Sequence, residues 1–125
     1  MTTRNKQVCV VSTGTANLAS VQAALMRIGA EVRLVDDAAS VEAAAFVVLP
    51  GVGSFDAAMQ QLEELGLVTA LQERVQQGRP TLAICLGLQL LAATSAESSG
   101  RCGLGVFDVP VERLPDDVMV PELGW

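Results

Sequence analysis

One of the three cysteines in these 125 residues sits where a nucleophile would be presented. Cys85 lies between an apolar run, Thr81 to Ile84, and a stretch in which Leu86, Leu90 and Leu91 recur at helical spacing. Its neighbours are small, with Ala83 two residues before it and Gly87 two after. A side chain presented on a sharp strand-to-helix bend needs such neighbours, because the backbones approach closely there. The bend also sets the sulfur beside amide groups opening a helix, and these favour a thiolate. That arrangement suits attack on a carbonyl carbon. The usual base for such a cysteine is histidine, and this chain has none. A lone cysteine among aliphatics is more often a small buried hydrophobe, and Cys9 and Cys102 are read that way, as core or loop thiols.

The elements that must carry this bend can be read from the apolar pattern. Val8 to Val11 predict a first strand, ending in the turn-like cluster Ser12-Thr13-Gly14-Thr15, suited to cap the next helix. Leu18, Val21, Leu25 and Ile28 give that helix one face, and Gly29 stops it. Glu31 to Val35 alternate as a second strand, followed by a short alanine-rich helix. Ala45 to Leu49 form a third strand, closed by Pro50-Gly51-Val52-Gly53. Phe55, Met59, Leu62 and Leu65 then share a helical face, Gly66 breaks it, and Leu67, Leu71 and Val75 continue it. Asp56 is a candidate cap for this helix. After the cysteine bend a helix is expected to about Ala93, a loop from Thr94 to Gly105, and a strand-like Val106 to Arg113 interrupted by Pro110. Strands alternating with helices predict one α/β domain over 1–125, with a mostly parallel sheet covered on both faces.

Bulk properties narrow the class. Half of the residues are hydrophobic, which excludes disorder. Aromatics make up only 3% and tyrosine is absent, so there is no platform for stacking nucleobases. The net charge of −6 argues against nucleic acid or an anionic membrane as partner. No cysteine spacing resembles a metal or redox site, and no apolar run reaches membrane-spanning length. Neither metal nor cofactor is expected, and the setting is read as cytoplasmic and reducing.

Taken alone, Gly51-Val52-Gly53 is a strand-to-helix turn or a weak phosphate cradle. Gln89 alone is a helix-surface residue, and Glu97 a solvated loop charge. Read together, the segments resemble a known family. PTLAICLGLQLL (80–91) resembles the nucleophile motif of class I glutamine amidotransferases, and LPGVGSFDAAM (49–59) looks like their oxyanion strand. Gly51-Val52-Gly53-Ser54-Phe55, Asn17-Leu18-Ala19-Ser20-Val21 after Gly14, and the terminal PELGW are similar to the glutaminase subunits of imidazole glycerol phosphate synthases, enzymes of histidine biosynthesis. The resemblance runs from about Val8 to Trp125.

It implies a flavodoxin-like three-layer sandwich in which Cys85 attacks the side-chain amide of glutamine. It further implies oxyanion donors at the amides of Leu86 and Val52, and contacts from Gly51, Gly53, Gln89 and Glu97 to the substrate. Ammonia would pass to a cyclase subunit built as a (β/α)₈ barrel. The family's catalytic histidine and its carboxylate fall beyond Trp125, so these residues alone are expected to have little or no glutaminase activity, and to self-associate or be only marginally stable because of an unpaired sheet edge and uncovered apolar faces. Ser12-Thr13 stand where Asp-Tyr is usual, Ala83 where glycine is usual, and Glu122 where a histidine is usual near the synthase interface. A non-catalytic flavodoxin-like module, and an amidotransferase of another pathway (anthranilate or GMP synthesis), remain the alternatives.

Overall fold

A computed structural model describes residues 6–14, 17–98 and 100–121. Four parallel strands form the main sheet: β1 (Gln7–Val11), β2 (Glu31–Val35), β3 (Phe46–Gly51) and β4 (Thr81–Cys85), in the order β2-β1-β3-β4. This is the start of the flavodoxin-like order, in which the crossover between β1 and β3 opens a crevice at the carboxyl ends of the strands. Helices α1 (Leu18–Arg27), α2 (Ala38–Ala43), α3 (Phe55–Glu64), α4 (Val68–Gln76) and α5 (Leu86–Leu90) make the connections. The structure thus has the α/β architecture expected from the alternation of patterns.

The core lies on one face of the sheet. Cys9, Val11, Val35, Val47 and Leu49 point into it and meet Val41, Phe55, Met59, Leu62, Leu67, Leu71, Leu86 and Leu90. Strand alternation sends Val10 and Val48 to the opposite face. Coverage there is thinner. Helix α1 packs on it with no fully buried residue, and Ile28, expected on its inner face, is 79% exposed. Leu82 and Ile84 on the edge strand β4 stay exposed, as does Phe46.

Capping is sharper at the later helices. Asp37 caps α2 through the Ser40 amide at 2.9 Å, and the Ser40 hydroxyl and amide together hold its carboxyl below the usual range. Ser54, rather than Asp56, caps α3, accepting from the Ala57 amide at 3.0 Å. The cap position of α1 is Asn17, whose side chain makes no capping bond. Thr15, Glu122 and the segment Leu123-Gly124-Trp125 lie outside the described residues.

The largest departure follows the cysteine. Helix α5 ends at Leu90, and Ala92–Ser95 form β5, paired in parallel with β6 (Phe107–Val111) in a separate two-stranded sheet. The reason is a competition for carbonyls. The Leu104 amide donates to the Leu90 carbonyl at 2.7 Å and the Phe107 amide to that of Leu91 at 3.0 Å, so further helical turns lose their acceptors. Pro110 is accommodated within β6 opposite Thr94, where the pairing register shifts.

Arg74 is the other surprise. It is 1% exposed, and all five guanidinium N–H groups are used. Nε donates to Thr81 Oγ1 at 3.1 Å, and Nη1 to the carbonyls of Val41 at 3.2 Å and Ala44 at 2.6 Å. Nη2 donates to Ala45 at 2.9 Å and Pro80 at 2.8 Å. Burial, with a smaller contribution from nearby Arg79, pushes its pKa down from the usual value. Arg74→Met should leave several buried acceptors without donors and lower the unfolding free energy by about 3 kcal/mol or more. Arg74→Lys, with three donors, should fall between that variant and the parent. Denaturant titration checks this, and a loss under about 1 kcal/mol for the methionine variant would contradict it.

Candidate functional site

Cys85 ends β4 and immediately precedes α5, and its backbone has φ 56° and ψ −119°. Among the described residues no other non-glycine has positive φ. A residue in this conformation turns its side chain out of the sheet at the strand's carboxyl end, and the Cys85 side chain is exposed. Cys9 is buried in the core and Cys102 lies on an exposed loop, as expected for both.

Two close backbone approaches shape the bend. A Cβ added at Gly87 would overlap the carbonyl oxygen of Leu49, so α5 rests directly on β3 and tolerates no side chain there. A Cβ at Gly51 would come within 2.9 Å of the Gly87 nitrogen and 3.0 Å of Leu86 Cβ. Gly51 is also the register partner of Cys85 across the sheet. Neighbouring strands lie roughly 4.8 Å apart, so the glycine loop opens beside the sulfur-bearing residue. Beyond Gly51, Val52 is exposed and Gly53 takes φ 100°, a conformation that lets a peptide turn where a side-chain-bearing residue would strain. Leu86 is buried beneath the bend.

The fold therefore brings Gly51 beside Cys85 and Leu86, with Val52 and Gly53 next in the chain. Helix α5 has only five residues, shorter than the sequence pattern predicts. Gln89 and Glu97 meet elsewhere, along an open cavity of about 410 Å³ that they line with Ser95, Ala96, Val111, Glu112 and Arg113. Neither Cys85 nor the glycine loop lines this cavity. Glu97 also has a local partner, because its Oε1 accepts from the Phe55 amide at 2.8 Å. Next to it Ser98 Oγ donates to Asp56, and Arg101 pairs with Glu63, tying this loop to α3. No spacing signalled these contacts, since the partners lie 42 and 38 residues apart. Arg74 did leave a signal, at helical spacing from Leu67, Ala70 and Leu71 on the buried face of α4.

Neither a group of acidic, histidine or cysteine side chains able to hold a metal nor a helix long and apolar enough to cross a membrane occurs among the described residues.

Comparison with known proteins bears on the family and the fold. The CobB/CobQ-like glutamine amidotransferase domain matches residues 11–118. Imidazole glycerol phosphate synthase subunit HisH of Moorella thermoacetica is 45% identical over 120 residues, covering 96% of this chain and 57% of the relative. The HisH subunit of Methanopyrus kandleri is 44% identical over 119 residues, covering 95% and 59% respectively. The chain thus spans somewhat over half the length of these relatives. Among solved structures, one of a glutamine amidotransferase superposes with a TM-score of 0.69 at 26% identity, covering 84% of this chain and 56% of the other. A structure assigned as peptidase E from Listeria monocytogenes shares the fold, with a TM-score of 0.68 at 13% identity and coverage of 82% and 63%. With its matched span taking in both the glycine loop and the cysteine bend, on a flavodoxin-like sheet, the chain belongs to the CobB/CobQ-like glutamine amidotransferase family.

Proposed function

We propose that these residues form the nucleophile-bearing part of one amidotransferase domain, the glutaminase subunit of an imidazole glycerol phosphate synthase. The observation that carries this reading is an exposed thiol on a left-handed bend, one strand away from a glycine loop. In the proposed reaction Cys85 Sγ attacks the side-chain amide carbon of glutamine. A base takes the thiol proton and passes it to the leaving nitrogen, the C–N bond breaks, and ammonia departs. Water then cleaves the thioester and releases glutamate. Leu86 and Val52 amides hold the oxyanion, and removing one such donor typically costs about 10²–10³ in rate. Gly51 and Gly53 let the loop peptide turn toward that oxygen. In this reading Gln89 and Glu97, which line a common cavity, take the amino-acid end of the substrate.

The base is supplied from outside these residues, since the chain contains no histidine. Ammonia passes to a (β/α)₈-barrel cyclase subunit carrying the lyase step, and the heterodimer works in the cytoplasm without metal or cofactor. Identity of 45% to HisH subunits favours this reading over an amidotransferase of another pathway or a non-catalytic module.

Three measurements test the proposal. A glutamine-mimicking chloroketone should alkylate Cys85 at least tenfold faster than Cys9 or Cys102, read by peptide mass spectrometry; equal slow labelling of all three would favour a non-catalytic module. Because a side chain at a strained bend costs on the order of 1–3 kcal/mol, Cys85→Gly should be about 1 kcal/mol more stable than Cys85→Ala. A glycine variant less stable than the alanine one would mean the bend holds no strain. Finally, the β4 edge, unpaired among the described residues and with Leu82 and Ile84 exposed, should make the isolated chain self-associate, and a clean monomer in size-exclusion chromatography would count against this.

A further inference from the structure

We propose that Glu97 is also a positioning residue for the oxyanion loop, acting through the Phe55 amide; this rests on the glutaminase reading. The loop is a short span between two fixed ends. At its entry, Gly51 is paired with Cys85 and packed against Leu86 and Gly87. At its exit, Phe55 opens α3 with its ring fully buried. Only Val52, Gly53 and the cap Ser54 lie between, so the direction of the Val52 N–H depends on where Phe55 is held.

Glu97 does that holding. The Phe55 N–H is one of the amide donors that a helix start leaves without an intrahelical acceptor. Glu97 Oε1 takes it at 2.8 Å, a carboxylate bond at the positive end of a ten-residue helix. The neighbouring contacts keep the carboxylate in place. Ser98 bonds to Asp56, Arg101 pairs with Glu63, and Arg101 Nε lies 3.8 Å from Asp56. Glu97, Ser98 and Arg101 are therefore fastened along α3, with Glu97 bonded to its first residue. Small displacements matter here, since misplacing a reacting or stabilising group by about 1 Å can cost on the order of 10²-fold.

Binding and positioning predict different kinetics. Saturation labelling with the same chloroketone, at alkaline pH so that no general base is needed, separates affinity from the maximal rate. In this step the thiolate forms the C–S bond and chloride leaves with the C–Cl electron pair, while the ketone oxygen relies on the loop amide. Glu97→Ala should lower the maximal labelling rate about tenfold or more, and Glu97→Gln, whose amide oxygen still accepts from Phe55, should restore most of it. Amide hydrogen exchange at Phe55 should quicken at least tenfold in Glu97→Ala and recover in Glu97→Gln. A pure substrate contact would weaken affinity in both variants and leave maximal rate and exchange untouched, which would overturn the proposal. If the parent chain shows no selective labelling, the glutaminase reading fails, and exchange at Phe55 alone decides whether Glu97 sets the loop.

Discussion

The bend at Cys85 depends on how closely the start of α5 is drawn onto the end of β3. Gly87 meets the Leu49 carbonyl with no room for a side chain, and Gly51 meets Gly87 in turn. Contact between backbones leaves no flexible side chain to absorb a shift, so the two segments move together or not at all. Buried Leu49, Leu86, Leu90 and Phe55 lie beneath that contact. A residue in sparsely populated φ/ψ space persists only where its surroundings over-determine it. Here the pairing of Gly51 with Cys85 fixes one side and the seat of α5 fixes the other.

Arg74 secures the same register from the opposite end of the sheet. Its acceptors include Ala45, just before β3 begins, and Pro80, just before β4 begins. From there the two strands pair without interruption, from Val47 with Thr81 to Gly51 with Cys85. Holding both entry points on one rigid guanidinium fork therefore sets which residue of β3 stands beside the cysteine five positions later. Lysine could not bridge the same points, because its three donors radiate from a single nitrogen whereas the fork spreads five. A buried cation is costly, and it is tolerated here because every donor has an acceptor.

Much of this was legible in the residues. The bounds of β2 follow from the alternation Glu31 to Val35, and the small-Cys-small pattern marked the bend. What escaped reading was non-local. Leu90 and Leu91 continue a helical pattern, yet their carbonyls are claimed by Leu104 and Phe107, more than a dozen residues away. Glu97 looks like any loop carboxylate until α3 is folded next to it. Burial on the second face is non-local in the same sense. Alternation in a strand says that both faces carry apolar residues, but not which elements arrive to bury them; Leu82 and Ile84 show the difference.

That uneven coverage bears on the proposed chemistry. On one side of Cys85 stand β3 and its glycine loop, which in this reading provide the oxyanion donor. The core fills one face of the sheet beneath α5. Among the described residues the other side of β4 has no strand paired to it. A base serving the thiol has to approach within hydrogen-bond reach of the sulfur without displacing the loop. The open flank of β4 is the direction that satisfies both conditions. On the proposed reading, nucleophile and oxyanion donors are assembled by two adjacent strand ends, whereas proton transfer would be completed by a group brought to the edge of the sheet.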